Sequence, residues 1–277
     1  MAHKSRVTAS GRVLATTSIG DDANQEPYEF VFDIEAIREV LEVGKNGRAT
    51  KIALTVRKSS REWSMSGGKA ELAPRGSVVI VSSATGKVDI QTEDPNAPIS
   101  RVDKLLFKFA ADLMGMDATL GIGDAAYGTD KPRRVGESWP VNGEAIAKCL
   151  TEAVGQKAPF SKEGITGRVT LAGVKKVHGI ECLELRAEVS AKTVAPVAIE
   201  SVVASAVGGE AKSSMTVYLP LDPSIPVLGG NRKSVTTINM TWKSPLTGED
   251  VLSKTKTNDT VTLNIVPFSD DAAAVPE

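Results

Sequence analysis

Histidine is nearly absent from this chain: His3 and His178 are its only two in 277 residues. General acid–base chemistry near neutral pH most often runs through an imidazole. A catalytic triad would therefore have to pass through His178, which sits beside Gly179 at a predicted hairpin tip, where an exposed turn residue is expected. Cysteine is as scarce. Cys149 and Cys182 alone exclude a disulfide scaffold and a four-thiolate zinc site, and two such isolated cysteines read more commonly as buried thiols than as the one bridge they could form. Aromatic residues make up 4% of the chain, few for a cavity lined to hold lipid. Charge of either sign is not in excess, with 33 Lys+Arg against 34 Asp+Glu, so the electrostatic footprint of a nucleic-acid binder is missing. No apolar run approaches the roughly 18 residues of a membrane-spanning helix. The basic start Met1-Ala2-His3-Lys4-Ser5-Arg6 is not followed by the apolar stretch of an intact secretory leader, which leaves a cytoplasmic chain or a mature one without its leader.

Chemical motifs are equally thin. No His pair has i, i+4 spacing, no Cys-x-x-Cys occurs, and the carboxylates do not fall into a twelve-residue calcium loop, so neither metal nor cofactor is expected. Gly121-Ile122-Gly123 shares two glycines with a dinucleotide fingerprint but lacks the strand leading into a helix that gives the fingerprint meaning. No nucleophile elbow of the form Gly-x-Ser-x-Gly is present. Enzymatic activity is therefore not expected.

Period-two hydrophobicity is what the chain has in quantity. Between Val7 and Val56, Tyr28, Phe30 and Phe32 alternate, and Val43 is answered by Ile52, Leu54 and Val56 across Gly44-Lys45-Asn46-Gly47, the strongest short hairpin signal. Val78 to Val81 and Val88 to Ile90 flank Thr85-Gly86 as a second hairpin, so the first ninety residues read as a β-meander. Ser100 is then placed to cap a helix over 102–113 whose Val102, Leu105, Leu106, Phe109 and Leu113 recur at helical spacing, with Gly115 as its stop. A shorter helix is expected over 143–154. After Pro159 alternation returns around Val169 and Leu171, a Lys175 to Gly179 turn, then Leu183, Leu185 and Val189. Three further alternating segments carry Val217 and Leu219, Ile238, Met240 and Trp242, and Val261, Leu263 and Ile265. The acidic, Ala-rich residues 269–277 are expected to fray. The sum is an α+β fold, mainly β, in a single domain, or in two β-rich halves joined near 127–132.

One segment is more distinctive. Pro132-Arg133-Arg134-Val135-Gly136-Glu137-Ser138-Trp139 is followed about thirty residues later by a strand, a glycine turn and another strand. In that order it resembles bacterial envelope and secreted proteins of unknown function that carry a Pro-x-x-Val-Gly-Asp/Glu-Ser-Trp motif. These are similar in architecture to the periplasmic lipoprotein-carrier superfamily. The resemblance implies a curved, open antiparallel sheet, a half-barrel covered by one or two helices, and a periplasmic or secreted location. It brings no catalytic residues with it.

Such a sheet presents one concave apolar face. In register, Val169, Leu171, Leu183, Leu185, Val217, Leu219, Ile238, Met240 and Trp242 would form it, with Leu106 and Phe109 of the helix as its cover. If a gap separates sheet from helix, these residues line a site for an apolar small molecule, an acyl chain or a lipid-like group. If the interior is filled, as interiors normally are, the chain is a structural or protein-interaction module that recruits partners by pairing at a sheet edge. Trp139 beside Pro140 is expected to be a structural plug.

Overall fold

The computed structural model of the chain describes residues 4–20, 27–44, 49–64, 68–83, 89–94, 99–100, 103–104, 107, 124–147, 160–193, 197–198, 206–222, 225, 227–243 and 247–268. The predicted alternation becomes one antiparallel sheet. Its strands are β1 (Lys4–Ile19), β2 (Tyr28–Val43), β3 (Ala49–Trp63), β4 (Gly68–Ala70), β5 (Val78–Ser82), β6 (Asp89–Thr92), β7 (Ser138–Pro140), β8 (Phe160–Val177), β9 (Ile180–Thr193), β10 (Val197–Ala198), β11 (Ala206–Pro220), β12 (Gly229–Lys243) and β13 (Asp250–Pro267). These 13 strands run β6-β5-β3-β2-β1-β13-β12-β11-β9-β8-β7, with β4 on β3 and β10 on β11. The sheet is open, ending on β6 and β7.

Neighbouring strands are mostly sequence neighbours, as hairpin signals require. The exception joins the two ends of the chain: β1 pairs with β13 over 15 positions, from Ser5↔Pro267 to Ile19↔Ser253. That seam makes one sheet of two meanders.

Side chains alternate between two faces, and the register identifies them. The inner face carries Val7, Ala9, Phe32, Ile34, Ala36, Ile52, Leu54, Val56, Val79, Val81, Leu263 and Ile265, all buried in one core under β1, β2, β3, β5, β6 and β13. Leu72, Ala73, Ile99 and Phe107 close over it. Farther along the same face, Trp139, Val169, Leu171 and Ala187 form a second core, and Ala126, Ile146, Ile165 and Ala191 a third beside it. A polar strip lies between the first core and these two. There Arg232 pairs with Asp259 at 3.5 Å, Ser234 donates to Ser213 at 3.3 Å, and the Thr17 and Thr255 hydroxyls meet at 3.1 Å.

The expected α+β class needs correction. Among the described residues the chain is largely sheet, and helix is confined to α1 (Asp124–Tyr127) and to the residues at 103–104, 107 and 143–147. The physical reason is strand length. Eight strands of 14 to 18 residues, where strands of about 5–6 are usual, take up most of the chain. The helix starts were legible all the same. Ser100 Oγ accepts from Asp103 N at 3.1 Å and donates to Asp103 Oδ2 at 2.5 Å, while Lys104 N reaches Ser100 O at 2.9 Å, a capping-box arrangement. Asn142 Oδ1 accepts from Glu144 N and Ala145 N at 3.1 and 3.2 Å, opening the second helix at 143. The expected ends of both helices, Leu106, Phe109, Cys149 and the 269–277 tail lie outside the described residues.

Candidate functional site

The Val135-Gly136 motif is built as a turn and plug. Gly136 has φ +91°, a left-handed conformation that favours glycine, and its N–H reaches Leu171 O at 2.8 Å. Glu137 accepts from Arg134 N at 3.0 Å, which closes the turn. Trp139 is buried, with Nε1 donating to Tyr127 O at 2.8 Å and the Arg133 guanidinium 5.4 Å from its ring centre. Arg133, Arg134, Gly136 and Glu137 thus hold the strap that seats Trp139 on β8.

The residues expected to line an apolar face do share one. Leu171↔Leu185, Leu185↔Val217 and Val217↔Gly230 run across the sheet, Val169 sits opposite Ala187, Leu183 opposite Leu219, and Ile238 and Met240 follow on β12. Trp242 continues the same strand opposite Val251. They are not equally covered. Val169, Leu171 and Val217 are buried, and Leu183 and Leu185 pack partly buried beneath Trp139, whereas Ile238 and Met240 beside the polar strip are 38% and 36% exposed.

A groove is found on the opposite, outer face. His178 Nε2 lies 2.8 Å from Asn264 Oδ1, although β11 and β12 stand between β9 and β13. Strands spaced about 4.8 Å apart would place β9 some 14 Å from β13 in a flat sheet. The sheet therefore curls toward its outer face, and the β8–β9 turn, with His178 at φ +51° and Gly179 at φ +81°, folds over β12. Gly229 has no side chain on that face to obstruct it. His178, read as an exposed turn residue, is exposed and also holds this contact.

The curl explains two outer-face burials that alternation alone does not predict. Cys182 is buried as a free thiol, and burial raises its pKa above the ordinary value. Glu184 is buried between Lys175 Nζ at 2.8 Å and Arg186 Nη2 at 2.7 Å. The hydrogen bond from Lys175, then that from Arg186, holds the Glu184 carboxyl below its ordinary 4.5, while the same contact raises Lys175 above 10.5. A lowered acid contributes stability that is present above its unfolded pKa and lost as pH falls through the folded one. Both cations are exposed, which limits the sum. Glu184→Gln is expected to cost about 1 kcal/mol near neutrality, and the difference from wild type should vanish on acidification below the 4.5 reference. Urea midpoints across that range measure it, and a difference that persists in acid would refute the ionic tie.

Beyond Glu184 the curled face opens into a groove of about 610 Å³ across β8, β9, β11 and β12. Thr166 and Arg168, Glu188 and Ser190, Lys212 and Ser214, and Lys233 and Val235 project into it, above backbone that includes Gly167. Charge is uneven: Arg168 holds Glu188 at 2.9 Å, and among the described residues Lys212 and Lys233 have no ion-pair partner. The groove is thus a shallow channel of Val235, the Thr166 methyl group and aliphatic lysine stems, with the Lys212 and Lys233 ammonium groups at its rim. Among the described residues no three His, Cys, Asp or Glu side chains gather as metal ligands, and none of the helices is long and apolar enough to cross a membrane.

Sequence reasoning passed over the groove because its residues look like the solvated side of ordinary strands. The available signal was Lys212, Ser214, Lys233 and Val235 on alternate positions of adjacent strands.

No family model matches the chain, and no curated protein sequence matches it. Among solved structures, one described as lipid–protein interactions in lipovitellin is similar at 9% identity and TM-score 0.39, covering 99% of this chain and 26% of lipovitellin. The chain thus spans about a quarter of that protein's length. The protein P47 from Clostridium botulinum A2 matches at 8% identity and TM-score 0.20, covering 90% of this chain and 80% of P47.

Proposed function

We propose that this chain is a non-catalytic binding module whose outer-face groove takes an amphiphile, its apolar chain lying along the channel and its anionic head between Lys212 and Lys233. The observation that carries this reading is the pairing of a groove of about 610 Å³, within the size range of small-ligand sites, with two lysines beside it that have no ion-pair partner among the described residues. An apolar chain displaces water from the channel floor, and the head supplies the missing charge. The resemblance of the Pro132 to Trp139 segment to bacterial envelope and secreted proteins is what supports a periplasmic or secreted location for such a module.

Purification without detergent followed by native mass spectrometry is expected to show a mass excess that extracts as an acyl species, or binding of added palmitate. Lys212→Glu with Lys233→Glu is expected to weaken palmitate binding by at least about tenfold, because a repulsive pair replaces an attractive one. A clean mass, unchanged when palmitate is offered, refutes the proposal.

Sheet-edge recruitment of a partner is the second reading, favoured by β8, of whose 18 residues only Arg168, Val169 and Thr170 pair with β7. Lys175 and Lys176 guard part of the remaining edge, as charges on edge strands commonly do.

A further inference from the structure

Arg38 is among the largest fully buried side chains, 1% exposed on the inner face of β2, and its Nε and Nη1 have no hydrogen-bond partner. Directly opposite on β1 is Ser5, 2% exposed, whose Oγ is likewise unpartnered. A buried polar group normally has a partner, and a buried charge normally has a counter-charge. Neither exists here among the described residues. The other neighbours of Arg38 and Ser5 across the strands are Leu54 and Pro267. Asp103 is held by Arg61, whose strand partner Phe32 is six residues from Arg38 along β2. Asp259, opposite Val13 at the far end of the seam, is held by Arg232.

From these two facing orphans we infer an oxyanion site on the inner face: the Arg38 guanidinium binds a carboxylate or phosphate group through Nε and Nη1, and the Ser5 hydroxyl donates to the same group. The fork geometry of guanidinium matches a planar or tetrahedral oxyanion. Burial pulls the Arg38 pKa down to about 10, which still leaves it charged at neutral pH, so the cation cannot escape its cost by deprotonating. Ser5 is the second residue of β1 and Pro267 the last of β13, so the pair lies where that seam ends, while β2 and β3 run on past Arg38. This site lies on the opposite face from the Lys212–Lys233 groove and does not depend on it.

The test is thermal melting of the full chain at constant ionic strength, titrated in one arm with inorganic phosphate and in the other with dodecyl phosphate against uncharged dodecyl maltoside. Wild type is expected to show a saturable rise in melting midpoint beyond that given by sodium chloride. The dodecyl phosphate arm is run in a Lys212→Glu/Lys233→Glu background, which disables the outer groove's own head-group contacts, and in either arm adding Arg38→Met should abolish the rise. A rise with inorganic phosphate identifies a free anion as sufficient, and a rise with dodecyl phosphate alone identifies a lipid head group. Ser5→Ala, which keeps the charge and the fold, is expected to weaken the response about tenfold through loss of one charge-assisted hydrogen bond, and so decides the matter if Arg38→Met does not fold. Equal responses in wild type and Arg38→Met, or an undiminished response in Ser5→Ala, overturn the assignment.

Discussion

Gly11→Val is expected to destabilise the fold by about 3 kcal/mol, read as a lower urea midpoint with an unchanged slope. Gly11 sits on the inner face of β1 directly opposite Phe32, and the Phe32 ring lies over it. A Cβ at Gly11 would approach Phe32 Cε1 to 2.2 Å and Cζ to 2.6 Å. The ring cannot swing aside, because Phe32 is only 1% exposed and lies in the main core. Removing glycine would by itself favour the folded strand by lowering the entropy of the unfolded chain, so the predicted loss is net of that gain. The contact is checked by coupling. Phe32→Leu is destabilising alone, yet combined with Gly11→Val it should cost less than the sum, because the smaller side chain leaves room for the new methyl groups. Additive effects would mean that the ring does not cover Gly11.

Trp139→Ala is expected to cost about 3–4 kcal/mol. The substitution empties the centre of the second core, where Trp139 packs with Val169, Leu171 and Ala187, and leaves Tyr127 O without its 2.8 Å donor. Its reach is the more telling part. The first core and the Trp139 core occupy one sheet face but are separated by the Arg232–Asp259 strip, so little apolar contact couples them. Hydrogen exchange should therefore show lost protection on β8 and β9, while β1 to β3 keep theirs. A uniform loss along the whole sheet would show that the β1–β13 seam makes the two cores one cooperative unit.

Much of the fold was legible because it is local. Alternation over Tyr28, Phe30 and Phe32, the hairpin pairing of β2 with β3 and the cap at Ser100 each act within a few residues, where backbone sterics and hydrogen-bond geometry decide the outcome. Even the inner-face register of Val169, Leu171, Leu185, Val217 and Ile238 followed from period two, which leaves a strand residue only two directions to point. The proportion of helix to sheet was read less well, since helical spacing over a short span says nothing about how much of the chain the long strands take up.

The groove, the Glu184 tie and the Arg38–Ser5 pair have a different origin. Lys212 and Lys233 stand on different strands, Glu184 meets Lys175 only through the β8–β9 pairing, and Arg38 faces Ser5 only once β1 and β2 are aligned. His178 reaches Asn264 only because the sheet curls, and Cys182 and Glu184 are buried for the same reason. By itself the sequence determined which residues form strands and which face each side chain takes, since those depend on near neighbours. The tertiary structure decided which ends join, which way the sheet bends and which polar groups are left facing one another without partners, because those depend on pairings between residues far apart in the chain and on a curvature summed over many strands.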